Sequence, residues 1–201
     1  MKIKGLFLLI ILLLTFSVQS DTIVYGKLFI TLESQEMNTG TELNTENNES
    51  RLGIKGNIEL KRELEVVYQA EYEVDPVDGT ADESNGRTFK QRNTFVGIKG
   101  SLGTLFLGTH DTAFKESQDK VDLFNDLTND IKNILEGENR LSELVGFKTP
   151  VFGKNFSATF NVIKEKDGLD DASSFSLKYR TSNIYAAVAL DSKVEGYDSY
   201  R

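Results

Sequence analysis

The sequence predicts an all-β chain whose antiparallel strands close into a transmembrane barrel. Three observations lead there. An apolar leader marks the chain for export, the remainder alternates with a period of two, and the connections between its alternating segments are short and long by turns.

The leader comes first. Lys2 and Lys4 precede an unbroken apolar run from Leu6 to Leu14, too short for a membrane-spanning helix, which needs about 20 residues. Val18 and Ser20 supply small residues at the −3 and −1 positions of a cleavage site before Asp21. Residues 1–20 are therefore read as a signal peptide and 21–201 as one barrel domain. No second long apolar run follows. If the mature chain enters a membrane it does so as a closed barrel, because only helices and barrels satisfy every backbone group in hydrocarbon.

Composition narrows the classes further. The leader carries two lysines and no acid, which leaves 21 basic against 31 acidic side chains and a formal charge of −10. Such a chain is repelled by a phosphate backbone, so nucleic acid is not a partner. The absence of cysteine excludes a disulfide scaffold and thiol catalysis. No metal or cofactor is expected.

Nine strands are expected, near 22–32, 51–60, 63–73, 88–100, 103–110, 140–149, 155–163, 173–181 and 184–191. Alternation is cleanest from Glu63 to Glu73, where Leu64, Val66, Tyr68, Ala70 and Tyr72 oppose Glu63, Glu65, Val67, Gln69, Glu71 and Glu73. That pattern gives a strand one apolar and one heavily charged face. Leu52, Ile54, Ile58 and Leu60 likewise oppose Arg51, Lys55, Asn57 and Glu59. Phe156, Ala158, Phe160 and Val162 do the same against Ser157, Thr159 and Asn161, and Phe175, Leu177 and Tyr179 against Ser174, Ser176, Lys178 and Arg180. The connections 33–50, 74–87 and 111–139 are long, whereas 61–62, 101–102 and 150–154 are short. Transmembrane barrels have short turns at one rim, long loops at the other and strands of roughly ten residues. A soluble sandwich gives no reason for such an alternation in length.

The longest connection changes period. Val121, Phe124, Leu127, Ile131 and Ile134 recur at intervals of three and four, with Asp119 available as an N-cap and Asp122 in the first turn. One short amphipathic helix is expected within 119–135, packed against the inside of a wide barrel.

Tyr25-Gly26-Lys27, Ser50-Arg51-Leu52-Gly53-Ile54-Lys55-Gly56 and Arg92-Asn93-Thr94-Phe95-Val96-Gly97-Ile98-Lys99-Gly100 give the chain a resemblance to the general diffusion porins of Gram-negative outer membranes. The Gly-Ile-Lys-Gly echo between the second and fourth strands is a hairpin repeat. The resemblance implies a homotrimer of sixteen-stranded barrels in outer-membrane lipid, passing small hydrophilic solutes and ions passively, with the third external loop folded inward. In this family basic side chains on the wall face acids on that loop. By motif position the basic set here is Lys27, Arg51 and Arg92, with Arg140 a fourth at the start of the strand after the loop; the candidate acids are Asp119, Asp122, Asp126 and Asp130. Arg51 lies opposite Leu52 and Ile54 by parity, and Lys27 opposite the even apolar set over 25–31.

Departures from the pattern are plain. The loop lacks the Pro-Glu-Phe-Gly-Gly-Asp-like turn of enteric members, Thr109 stands where some place an arginine, and Ser199-Tyr200-Arg201 is not a strand closing on a terminal aromatic residue. The expectation is that this is the N-terminal half of a longer protein.

The chain is not expected to be an enzyme. A barrel hydrolase would need a Ser-His-acid site, yet His110 is the one histidine and no Gly-x-Ser-x-Gly elbow accompanies it. A surface adhesin acting through its loops is the other alternative.

Overall fold

A computed structural model describes residues 20–37, 40–60, 63–164 and 171–201. The expected leader lies outside the described residues except for Ser20. In chain order the strands are β1 (Ser20–Lys27), β2 (Ile30–Met37), β3 (Gly40–Asn47), β4 (Arg51–Glu59), β5 (Glu65–Val74), β6 (Phe89–Gly100), β7 (Gly103–Asp111), β8 (Arg140–Lys148), β9 (Phe156–Ile163), β10 (Ala172–Arg180), β11 (Tyr185–Val194) and β12 (Tyr197–Tyr200). Ten of them form one sheet in the order β1-β4-β5-β6-β7-β8-β9-β10-β11-β12, and among the described residues β2 pairs only with β3. Every pairing is antiparallel.

The alternation sets which face is which. Reading across the register from β4 to β12, Ile58, Val66, Ile98, Leu105, Phe147, Phe160, Phe175, Leu190 and Tyr200 stand opposite one another in an unbroken apolar row. Cross-strand partners point to the same side of a sheet, so this row is one continuous band. Its members are largely uncovered: Ile98 is 52% exposed, Leu105 52% and Leu190 48%. The other face holds Glu71, Arg92, Thr159, Asn161, Ser174, Ser176 and Asp191, all buried. A soluble sandwich buries its apolar face; this sheet shows it and shelters its polar one, the arrangement of a barrel in lipid. The even positions Leu64, Val66, Tyr68, Ala70 and Tyr72 fall on the side of the apolar row, as expected from their parity.

Part of the sheltered face is nevertheless packed. Phe106, Leu144, Ile163, Ala172 and Val194 form a small core, with Phe95 and Leu141 against it. Phe106 stands in register between Gly97 and Gly146, and a Cβ on Gly146 would lie 2.2 Å from its ring. Glycine is required there because the phenyl group occupies the space of a side chain.

The structure corrects three expectations. The first strand, expected to run to residue 32, ends at Lys27, and the chain resumes at Ile30 in the hairpin β2–β3, most of which lies in the tract expected to be a loop. The break is held by Phe29, whose N–H donates to Ser50 Oγ at 2.9 Å and whose carbonyl accepts from Asn48 N. β12, also unexpected, follows β11 through Glu195 and Gly196, both left-handed (φ 51° and 85°), as a two-residue hairpin turn of this type demands. Third, the helix expected over 119–135 is absent. Its only regular turn is a 3₁₀ segment, Ile131–Asn133, whereas a one-turn helix, α1 (Ala113–Glu116), lies at the start of the loop. The acids are the cause. Asp119 and Asp126 adopt φ 56° and 70°. Asp122 accepts from the amides of Phe124 and Ile131, and Asp130 from those of Lys132 and Asp126. Side chains that capture backbone donors compete with the helix for them.

Among the described residues, β1 and β12 each leave one edge of the sheet unpaired. Residues 21–201 expressed alone should therefore aggregate or be degraded, since open N–H and C=O groups have no partner in hydrocarbon. Recovery of a heat-resistant, detergent-soluble oligomer from that fragment would contradict this.

Candidate constriction site

The long connection between β7 and β8 lies against the sheltered face, and its acids meet basic side chains from strands far away in sequence. Asp126 accepts from Lys27 Nζ at 2.8 Å and from Arg51 Nη2 at 2.5 Å. Its side chain is only 4% exposed, and its amide donates to Asp130 Oδ2 at 2.8 Å, so the left-handed turn at Asp126 is locked from within the loop. The loop tip also reaches the β2–β3 hairpin, where Thr128 Oγ1 donates to Glu33 at 3.3 Å.

Arg92 reaches the site through an irregularity that alternation does not reveal. It shares its parity with Val96 and Ile98, which are exposed on the apolar side. Between β5 and β6, however, the register passes from Ala70↔Thr94 to Tyr72↔Gln91. Arg92 and Asn93 together face Glu71, a β-bulge that turns a side chain to the other face. Arg92 Nε donates to Glu71 Oε1 at 2.9 Å, its Nη1 donates to Glu49, and Glu73 stands at 3.6 Å. Lys132 of the loop bridges to Glu49 at 2.5 Å and Asp130 at 3.7 Å. Arg140 stands to one side, with Nε 3.0 Å from Asp111 and donating to Asn93 Oδ1 at 3.1 Å.

Lys27, Arg51, Arg92, Asp126 and Asp130 thus come together, and Arg140 joins through a wall acid instead of a loop acid. Arg51, Arg92, Arg140, Asp126 and Asp130 line one cavity of about 270 Å³. Two expected acids are elsewhere. Asp119 pairs with Arg180 at 2.7 Å, and Asp122 caps turns within the loop. Sequence reasoning missed Glu49, Glu71, Glu73, Asp111 and Lys132. Glu71 and Glu73 carried a signal, as charged positions on the inward parity of the cleanest strand; Glu49, Asp111 and Lys132 carried none.

Glu49, Asp126 and Asp130 bring one carboxylate oxygen each within 4.8 Å of one another, as a cation site would. The surrounding donors speak against an ion, because Lys27, Arg51, Arg92 and Lys132 already neutralise the group. Burial works to raise the Glu49 pKa, but the charge of Arg92 and the hydrogen bonds of Lys132 and Arg92 overcome it and hold the carboxyl well below the usual range. Lys132 responds in the opposite sense: burial works to lower its pKa, but the hydrogen bond and charge of Glu49, with the charges of Asp130 and Asp126, together raise it.

A pH prediction follows from the Glu49 shift. Its folded pKa lies below the unfolded value, so its contribution is complete above the ordinary glutamate pKa of about 4.3 and is lost as pH falls through the depressed value. The difference in urea midpoint between the parent and Glu49→Gln should be constant from about pH 7 to 5 and shrink only below about pH 4. A difference that already fades between pH 7 and 5 would contradict the pairing.

A second cluster lies on the same face. Lys148 Nζ donates to Glu116 Oε1 at 2.6 Å and Lys178 stands 3.7 Å from Glu116 Oε2. His110 packs between Phe95 and Phe106, with ring centroids 5.0 and 4.7 Å away.

Comparison with known proteins agrees with this architecture. A family model described as Gram-negative porin matches residues 14–199. The major outer membrane protein P.IB of Neisseria sicca is 27% identical over 128 residues, 59% of this chain and 34% of that protein. Among solved structures, the anion-selective porin of Comamonas acidovorans aligns with a TM-score of 0.70 at 20% identity, over 86% of this chain and 57% of the other. OmpF of Salmonella typhi, in complex with daunomycin, aligns at 0.62 with 14% identity, over 85% and 53% respectively. The chain spans about a third of the curated relative's length and just over half of each of these structures.

Proposed function

The chain belongs to the Gram-negative porin family, and on that premise we propose that its protein stands in the outer membrane as a homotrimer. Each barrel holds a water-filled channel for the passive diffusion of small hydrophilic solutes and ions. The observation that carries this reading is the division between the two faces. An unbroken apolar row suits lipid, while the opposite face gathers five basic and six acidic side chains around one loop, a density of charge that needs water beside it. Lys27, Arg51, Arg92 and Arg140 on the wall, with Asp126 and Asp130 on the loop, are the constriction in this reading. Glu49, Glu71, Glu73, Asp111 and Lys132 complete the set. Because the charges are paired across a narrow space, the site favours dipolar solutes over either sign of ion.

The hydrolase alternative is weakened by His110, which faces the sheltered side between two phenyl rings and hydrogen-bonds the carbonyl of Asp111 at 2.7 Å. The decisive experiment is reconstitution of the full-length protein. Liposomes carrying it should swell in small sugars, more slowly as the sugar grows, and planar bilayers should show stepwise conductance. Vesicles that stay impermeable to ions and monosaccharides while holding folded protein would overturn the reading.

A further inference from the structure

We propose that the cross-strand pair Asn161–Ser174 is the latch that positions the constriction loop, and that it sets pore width independently of the constriction charges. This rests on the channel reading above. Asn161 of β9 and Ser174 of β10 stand directly opposite each other, 0% and 1% exposed, beneath the first turn of the loop. Asn161 Oδ1 accepts from the amide of Ala113 at 2.6 Å and Ser174 Oγ from the amide of Phe114 at 2.9 Å. The next amide, Lys115, donates to Thr112 Oγ1 at 3.1 Å. A helix N-terminus leaves its first amides without intrahelical acceptors. Here two of those donors are claimed by the barrel wall itself, which explains why a helix of one turn persists at this point when the longer expected one does not form.

The returning end of the loop closes on the same turn. Gly137 has φ +89°, and a Cβ there would lie 2.4 Å from the Phe114 ring, so the ring is wedged against bare backbone. Phe114 is 2% exposed. The Arg201 guanidinium lies 4.6 Å over the other part of the wedge, the Phe114 ring centroid, and donates to Glu138 Oε1 at 2.8 Å. Lys115 Nζ donates to the Glu138 carbonyl at 3.2 Å. The leading end of the loop is thereby fixed to β9 and β10, and the returning end to that leading turn and to Arg201 beyond β12, all away from the strands bearing Lys27, Arg51 and Arg92. The groups to be altered, Asn161, Ser174 and Gly137, carry no charge and do not line the constriction cavity. Asn161 and Ser174 are positioning residues: releasing them moves the loop but leaves the fixed charges in number and sign.

The test uses the full-length protein in liposomes and planar bilayers, comparing the parent with Ser174→Ala, Asn161→Leu/Ser174→Ala, Gly137→Ala and the conservative Ser174→Thr. Each neutral hydrogen bond lost should raise the population of displaced loops by about fivefold. The alanine and double variants should therefore show added open-channel noise and a several-fold higher rate of trisaccharide entry relative to monosaccharide. Gly137→Ala should do the same from the other end. Reversal potential in a salt gradient should stay at the parent value, and Ser174→Thr, which keeps the hydroxyl, should behave as the parent. If the double variant does not assemble, Ser174→Ala and Gly137→Ala carry the test. Variants with parent-like noise and size dependence, or ones in which reversal potential shifts as much as solute size, would overturn the latch. A parent without conductance would overturn the channel reading instead.

Discussion

Replacing Arg92 by methionine should lower the stability of the folded protein by about 3–5 kcal/mol, the range for breaking a buried ion pair from one side. Its side chain is 6% exposed, and those of Glu71 and Glu73 are 12% and 10%. Methionine matches the apolar stem but leaves Glu71 and Glu49 facing each other without their shared donor. Glu49 keeps Lys132, but the desolvated Glu71 has lost its cation and must be hydrated, protonated or moved, each of which opposes the native packing. The urea midpoint of full-length protein in lipid vesicles checks it. Arg92→Met/Glu71→Gln should recover part of the loss because one stranded charge is gone, a coupling that a double-mutant cycle isolates. A single variant within about 0.5 kcal/mol of the parent, as at an ordinary surface position, would mean that Arg92 is solvated wall charge.

Replacing Asp126 by asparagine should shift the channel towards anions. Asp126 is the shared acceptor of Lys27 and Arg51. Its neutralisation leaves both cations unpaired at one point, while the amide bond from residue 126 to Asp130 remains. The reversal potential in a salt gradient should move in the anion direction. Arg51→Gln should move it the other way, because the acid then outlasts one of its partners. Both shifts should be largest near 0.1 M salt, where the Debye length is about 10 Å, and blunted near 1 M, where it is about 3 Å. An unchanged reversal potential at low salt, with the variant folded, would remove the Lys27–Arg51–Asp126 group from the ion path.

Much of the frame was legible before the structure. Leu64 to Tyr72 declare their face because side chains in a strand alternate strictly, a relation between residues two apart that any window of sequence contains. The loop boundaries at 74 and 111 were legible for the same reason, since alternation stops there. The hairpin β2–β3 was not, because its polar residues alternate too weakly to be told from a loop, and the pairing that makes it a hairpin is between chains of backbone rather than side chains. The helix expected over 119–135 had the correct apolar spacing, but periodicity cannot register that Asp122 and Asp130 would bind the backbone amides themselves.

The site divides along the same line. An export signal over residues 1–20 is an expectation from sequence alone; the all-β class, the apolar and polar faces, and the basic residues that matched the family pattern were legible there too. Only the tertiary structure decided what those residues touch. Arg92 faces inward because a bulge against β5 reverses its parity, and Asp126, not Asp119 or Asp122, meets Arg51 because the loop returns across a separation of 75 residues. Face and strand are set by neighbours in the chain, whereas register and charge pairing are set by which distant segments the folded backbone brings within about 4 Å, where opposite charges discriminate between partners.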